Sequence, residues 1–102
     1  MSRLDQLKKL ITIAPNDPMT HYGLGLEYIN LQDWANAAAA FGEAVRVDPK
    51  YSAAYYHKAR AQIGGGLPDD ARATLTAGIA QAQAVGDWHT KGEMEELLRT
   101  IE

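Results

Sequence analysis

Apolar residues recur every three or four positions along most of the chain, which is the spacing of helices that bury one face. Runs that alternate in the manner of a half-buried strand are absent, and alanine is abundant while β-branched residues are few. Proline, glycine and aspartate stand between the apolar segments, where they stop one helix and cap the next. The pattern predicts six helices joined by short turns, over residues 2–13, 18–31, 34–47, 52–63, 68–85 and 87–101.

The helical pattern repeats along the chain, and the distance from Pro15 to Pro49 gives its period. Ile13-Ala14-Pro15 and Val47-Asp48-Pro49 each end an apolar segment. The apolar positions upstream of the two prolines correspond at the same separation, with Leu7, Leu10 and Ile11 matching Phe41, Ala44 and Val45. A period of about 34 residues indicates stacked helix pairs, each burying the apolar face of its neighbour.

Residues 18–51 carry the most specific spacing in the chain. The residues concerned are His21, Leu24, Gly25, Tyr28, Ala37, Phe41, Ala44 and Pro49. This segment resembles the tetratricopeptide repeat, W-x2-L-G-x2-Y…A-x3-F…P, at seven of the eight positions, with His21 in the tryptophan place as the departure. Gly25 and Ala37 are small where two antiparallel helices must approach closely, and Phe41 is predicted to pack at that contact.

A weaker copy follows in the same frame, with Tyr55, Ala59, Ala71 and Leu75 at packing positions. Gln83 replaces the closing proline, so the helix is expected to continue to about residue 84, with Gly86 beyond its end. A partial third copy starts with a one-residue slip, and no second helix follows it. The resemblance implies an all-α, right-handed α-solenoid of antiparallel helix pairs, in a single domain: a half repeat (1–15), two repeats (18–51 and 52–85) and a terminal capping helix (87–102).

A second apolar stripe runs along residues 18–31, where Glu27 is the one charged residue. In tetratricopeptide arrays the first helix of each repeat lines the concave groove, so the resemblance implies that this stripe faces the groove. We expect an apolar and aromatic end, an acidic end and Arg60 between them. The predicted groove residues are Met19, Tyr22, Leu26, Ile29, Tyr56, Arg60, Ile63, His89 and Glu93. The alternative is that the stripe is simply buried core, with Arg60 and Glu93 paired to each other.

One subclass of the family is not expected to fit. Members that hold the C-terminal carboxylate of chaperones use Lys, Asn and Arg at set groove positions. Those positions carry Tyr22, Leu26, His57, Gly86 and Thr90 here. An acidic chaperone tail is therefore not a predicted ligand.

Composition excludes several classes of function. The chain has 102 residues and a net charge of −3, which is one small domain without the basic surface of a nucleic-acid-binding protein. It has no cysteine, and the N-terminal residues do not have the apolar core of a signal peptide. No apolar stretch approaches the roughly 20 residues of a membrane span. These features predict a cytoplasmic protein that binds neither nucleic acid nor membrane.

Candidate chemistry is sparse. His21, His57 and His89 are far apart in the sequence and share no metal-binding spacing, and no nucleophile motif is present. Gly64-Gly65-Gly66 lacks the preceding strand and following Lys or Ser of a phosphate loop, so it is interpreted as a flexible turn, with a hinge for domain swapping as the alternative. We predict no enzyme activity, no catalytic or metal site and no cofactor.

The charge distribution raises the question of self-association. Residues 1–15 have a net charge of +2 and residues 87–102 of −3, and both segments are incomplete repeats. Leu4, Leu7 and Ile11 at one end, and Met94, Leu97, Leu98 and Ile101 at the other, are the apolar candidates for burial. The predicted function is a non-catalytic protein–protein interaction module that binds a peptide or helix in the groove. The alternative is a homo-oligomer formed through the groove or the terminal helices.

Overall fold

A computed structural model describes all residues from Met1 to Glu102. Six helices follow one another, and every predicted boundary lies within two residues of the observed one. They are α1 (Arg3–Ile13), α2 (Pro18–Asn30), α3 (Trp34–Val47), α4 (Ser52–Gly64), α5 (Pro68–Val85) and α6 (Trp88–Arg99). The prediction of an all-α solenoid of antiparallel helix pairs is confirmed. None of the six helices has the length and apolar character needed to span a membrane.

Aspartate caps define where several helices begin. Asp17, Asp33 and Asp87 each accept a hydrogen bond from a backbone N–H in the first turn of α2, α3 and α6. Such caps satisfy donors that have no partner inside the helix. Pro18 and Pro68 occupy the first turns of α2 and α5, where their missing N–H groups are not needed. Local sequence therefore accounts for these helix starts.

The turns repeat at the level of the backbone. The Asp48 N–H donates to the Ala44 carbonyl as the Ala14 N–H, one repeat earlier, does to that of Leu10. Gly86, at φ +76°, ends α5 in the left-handed conformation that glycine adopts at low cost. As predicted from the absent proline, α5 is longer than α3, with 18 residues against 14.

Helices α2, α4 and α6 form one layer and α1, α3 and α5 the other. Within the first layer, α2 contacts α4 and α4 contacts α6. The helices of the second layer contact their sequence neighbours but not one another. Because the helices of the first layer lie closer together, the solenoid curves towards that side, and the concave surface is formed by α2, α4 and α6.

The core consists of two clusters of fully buried side chains. The first centres on Phe41 and includes Ala37 and Ala44; the second centres on Leu75 and Met94 and includes Ala59 and Ala71. The predicted close approach at Gly25 is confirmed, since a Cβ built there would lie 2.7 Å from the ring of Phe41. His21 is also buried, and its Nε2–H donates to the Pro15 carbonyl at 2.6 Å.

Gly64-Gly65-Gly66 is interpreted from the sequence as a flexible turn, but two of these glycines are closely packed against a side chain. A Cβ at Gly64 would lie 2.7 Å from the Trp34 ring, and one at Gly65 would lie 3.2 Å from the Trp34 Cβ. Gly66 alone has a positive φ, +77°. Two of the three glycines therefore make room for an aromatic side chain of α3, which the sequence reasoning missed.

The apolar residues proposed for burial at the two ends are largely used within the chain. Leu7 and Met94 are buried, and Leu97, Leu98 and Ile101 pack against the second cluster. These contacts are with neighbouring helices of the same chain. The large apolar side chains that α1 and α6 leave exposed are others, namely Leu10, Ile13 and Trp88.

Candidate functional site

The concave surface brings side chains from α2, α4 and α6 into one groove. We define the groove by Tyr22 and Leu26 on α2, Tyr56, His57 and Arg60 on α4, and His89 and Glu93 on α6. Each helix contributes residues spaced by three or four positions, because that spacing places them on the same helical face. All but one of these residues were predicted from the second apolar stripe; His57 was not among them.

His57 lies at the centre of an aromatic cluster. Its ring is 5.5 Å from the ring of Tyr22 and 5.1 Å from that of Tyr56, both in edge-on geometry. On its inner side it stacks on the buried Phe41 at 5.7 Å. Tyr22 in turn stacks on Tyr51 at 5.1 Å. His57 therefore bridges Tyr22 of α2 and Tyr56 of its own helix.

Burial lowers the pKa of His57 below its usual value of about 6.5; the charge of Arg60 lowers it further, while Glu93 opposes the shift. The imidazole is therefore neutral at pH 7. Burial likewise raises the pKa of the Tyr22 hydroxyl, with a further contribution from Glu93. The aromatic end of the groove is thus an uncharged surface with hydroxyl and imidazole groups at its edge.

Arg60 occupies the middle of the groove without an ion-pair partner. Its Nη1 donates to Nδ1 of His57 at 3.2 Å, and its guanidinium lies 6.0 Å from the centre of the Tyr56 ring. The alternative that Arg60 pairs with Glu93 is wrong, since Glu93 instead lies 3.3 Å from Nε2 of His89. An exposed guanidinium held over an aromatic face remains available to a carboxylate or carbonyl of a ligand.

The other end of the groove is acidic and opens into a cavity of about 490 Å³. Glu93 and Glu96 supply carboxylates, while Tyr56 and Leu97 supply apolar walls. Gly92, His89 and Thr100 complete the lining. Glu96 is also paired with Arg99 on the outer side of α6. The predicted polarity, aromatic at α2 and acidic at α6, is present in the arrangement of these side chains.

Three predicted groove residues are not among the seven that define the groove. Ile29 and Ile63 are half-buried and pack against the two core clusters. Tyr22, Leu26 and Tyr56 do the same, so burial alone does not separate a groove position from a core position. Met19 lies at the start of α2 with 69% of its surface exposed. Among the positions compared with the chaperone-binding clamp, Thr90 is buried and Gly86 belongs to a turn.

Sequence reasoning missed two polar contacts between helices. Asp87 accepts a hydrogen bond from the Ser52 hydroxyl at 2.5 Å as well as from the Thr90 N–H at 3.1 Å, and these bonds lower its pKa below the usual range. They join the start of α6 to the start of α4. Thr74 donates to the side chain of Gln62 at 2.7 Å between α5 and α4.

His57 itself could have been found from the repeat. It stands one repeat after Gly23, and Gly23 faces the preceding helix, where a Cβ would lie 3.5 Å from the Leu7 side chain. The equivalent position on α4 therefore faces α3, and this places the His57 ring against Phe41.

The groove has no arrangement of a nucleophile, a base and an orienting carboxylate. No three histidine, aspartate or glutamate side chains in the chain converge as metal ligands would. The groups that this surface presents are aromatic rings, one guanidinium without an ion-pair partner and a pair of carboxylates.

Comparisons with known proteins agree on one family. The tetratricopeptide repeat profile matches residues 28–91. The TPR repeat-containing protein PA0015 of Pseudomonas aeruginosa is 29% identical over 99 residues, which is 97% of this chain and 94% of that protein.

Two solved structures show the same arrangement of helices. A tetratricopeptide repeat domain protein from Salinibacter ruber is 32% identical with a TM-score of 0.78, covering 86% of this chain and 89% of that one. The structure of the TPR2B domain of yeast Sti1 in complex with pHsp70 has a TM-score of 0.90 at 24% identity, covering 96% and 78% of the two chains.

Proposed function

The chain belongs to the tetratricopeptide repeat family, and on that premise we propose that its groove binds a peptide segment or short helix of a protein partner through one apolar anchor and one basic side chain. Domains of this family are in general non-catalytic protein–protein interaction modules. The Sti1 structures with pHsp70 and pHSP90 are examples of partner binding in the same fold. The observation that carries the proposal is the polarity of the groove, aromatic at α2 and acidic at α6.

The aromatic end accounts for the apolar anchor. Tyr22, Leu26 and Tyr56 are half-buried and rest on the core, so each keeps an apolar surface towards the groove at little further cost in side-chain entropy. Tyrosines of this kind are frequent energetic centres of protein interfaces. An aliphatic or aromatic side chain of the ligand would lie between them.

The acidic end accounts for the basic side chain. The cavity at α6 has the carboxylates of Glu93 and Glu96 on apolar walls, which suits the alkyl stem and charged head of a Lys or Arg. Arg60 between the two ends would donate to a ligand carbonyl or carboxylate. An all-acidic ligand fits this surface poorly, because it would place like charges at Glu93 and Glu96.

The test is selection of binders from a random peptide library, followed by affinity measurements with the purified chain. Selected sequences should combine an apolar anchor with a neighbouring Lys or Arg. The double substitution Leu26→Ala and Tyr56→Ala should weaken binding about tenfold or more, because it truncates the proposed anchor site.

The matched control is Leu31→Ala with Leu67→Ala, two leucines that are exposed on turns outside the groove. This variant should bind like the parent chain. Glu93→Gln with Glu96→Gln should weaken only those peptides that carry the basic residue. Selected peptides that bind the Leu26→Ala, Tyr56→Ala variant as tightly as the parent would contradict the proposal.

A further inference from the structure

Helix α6 presents an open face whose sequence repeats that of a packed face of α2. Trp88, Lys91, Gly92 and Glu95 repeat the spacing of His21, Leu24, Gly25 and Tyr28. In α2 that face packs against α3. In α6 the same face is open: Trp88 is 64% exposed, and a Cβ at Gly92 would meet nothing within 4 Å.

Helix α1 presents the reciprocal face. It corresponds to α3, with Leu7 and Leu10 in the places of Phe41 and Ala44. Leu7 packs towards Gly23 of α2, as Phe41 packs on His57 of α4. On the opposite side of α1, Leu10 and Ile13 are 48% and 77% exposed.

We propose that α6 of one copy of this chain receives α1 of a second copy, so that the two helices together complete a helix pair. The contacts follow from those inside the chain. Gly25 meets Phe41 and Tyr55 meets Gly78 within the two complete pairs. At the proposed junction between two copies, the equivalent positions place Gly92 of one copy opposite Leu7 of the other, and Trp88 opposite Leu10.

Charge favours this occupant. The N-terminal segment 1–15 carries a net charge of +2 and the C-terminal segment 87–102 of −3, so approach of unlike ends is favourable and approach of like ends is not.

The proposed contact joins two different surfaces, so it does not close on a pair of molecules. Each added copy exposes a new α6 face, and association grows head to tail. The junction shares Gly92 with the cavity at the acidic end of the groove. Leu10 on α1 lies outside the groove, so Leu10→Glu tests the junction without changing a groove residue.

The experiment measures absolute mass by light scattering and sedimentation equilibrium over a concentration series. The average mass of the parent protein in solution should rise above 11.1 kDa as its concentration increases. Leu10→Glu blocks the α1 face and Gly92→Gln blocks the α6 face; each variant alone should remain at 11.1 kDa. An equimolar mixture of the two should form a species of twice that mass and nothing larger, since one intact junction remains.

Matched controls separate this contact from others. Gly92→Ala should associate like the parent, because Ala59 occupies the same place in the preceding pair and is fully buried there. Ala77→Glu, at an exposed position of α5, should also associate like the parent. Leu26→Ala with Tyr56→Ala should leave the mass unchanged, whereas self-association through the groove would be lost in it.

Helix content of the Leu10→Glu, Gly92→Gln and Ala77→Glu variants should match the parent, since Leu10 is half-exposed, Gly92 is open and Ala77 is exposed. Raised salt should weaken the association, because screening reduces the attraction of the unlike ends. A parent chain of 11.1 kDa at every concentration would overturn the proposal. So would blocked variants that associate like the parent, or a mixture of them that stays monomeric.

Discussion

Gly25 in α2 and Gly92 in α6 hold the same position of the repeat in opposite surroundings. At Gly25 an added methyl group would lie 2.7 Å from the Phe41 ring, and Phe41 cannot move away easily because Tyr22 and His57 surround it. At Gly92 an added methyl group meets nothing. The residue is identical, but only the first glycine has a helix packed on it.

The contrast shows that the repeat pattern describes a contact between two helices and not a property of one helix. Glycine lowers the stability of a helix interior, so it is retained to advantage where close approach compensates for that loss. In the pair α2–α3 the compensation is the packing of Phe41. In α6 it is absent from the isolated chain, and the proposed docking of α1 from a second copy would restore it.

The greatest loss of stability is expected when Phe41, whose ring packs against Gly25, is truncated. Phe41→Ala should lower the free energy of unfolding by about 3–5 kcal/mol, because it opens a cavity in the first core cluster. Leu10→Ala, at the corresponding exposed face of α1, should change it by less than about 0.5 kcal/mol. Urea unfolding followed by circular dichroism measures both. Equal losses would show that α1 is as tightly packed as α3.

Substitution of glycine by alanine is expected to change the free energy of unfolding in opposite directions at Gly25 and Gly92. Gly25→Ala should destabilise the fold by about 1–3 kcal/mol through overpacking against Phe41. Gly92→Ala should stabilise it by about 0.5–1 kcal/mol, since alanine is the better helix former and no contact opposes it. Urea unfolding at low protein concentration keeps the chain monomeric for this comparison. In a Phe41→Ala background, Gly25→Ala should no longer lower the free energy of unfolding. If it still does, contact with the Phe41 ring is not the cause of the destabilisation.

A smaller effect is expected at the turns inside the two complete pairs. Gln32 at the end of α2 has φ +57°, and Gly66 occupies the same place in the next repeat with φ +77°. Because a side chain strains this left-handed conformation, Gln32→Gly should raise the free energy of unfolding by roughly 0.5–1 kcal/mol. The reciprocal change Gly66→Gln should lower it by a similar amount. Thermal unfolding of the two variants checks the pair, and a destabilised Gln32→Gly variant would contradict the argument.

The stability of the folded chain should depend on pH through His57, at the aromatic end of the groove. Because burial and Arg60 hold the pKa of His57 below about 6.5, the unfolded chain binds a proton at this residue before the folded chain does. Its contribution to stability is therefore complete above pH of about 6.5 and is lost as the pH falls below that value. Arg60 and Glu93 are the charged groups that act on His57, and the rings of Tyr22 and Tyr56 pack against it.

Urea unfolding at a series of pH values, with His57→Gln as the control, measures this contribution. The parent chain should lose stability more steeply than the control as the solution is acidified. Titration of the His57 ring protons by NMR gives the pKa directly, and a value above about 6.5 would contradict the assignment.

The helices and the first helix pair could be predicted because their determinants are local or lie one repeat apart. Asp17, Asp33 and Pro68 mark helix starts by themselves, and the spacing of Gly25 and Phe41 indicates one antiparallel contact. The groove stripe on α2 followed from helical period together with the family resemblance. Ile29 and Ile63 show the limit of that reasoning, because period alone does not distinguish a half-buried support of the core from an open surface.

Sequence alone accounts for the helical period, the caps, the register of the repeat and the unlike charges of the two ends, since each depends on residues a few positions or one repeat apart. The packed array was needed to show that His57 bridges Tyr22 and Tyr56. It also showed that Glu93 lies beside His89 rather than Arg60, and that Gly64 makes room for Trp34. These outcomes depend on how far neighbouring helices rotate and approach, and distance and rotation between helices are set by packing of the whole array.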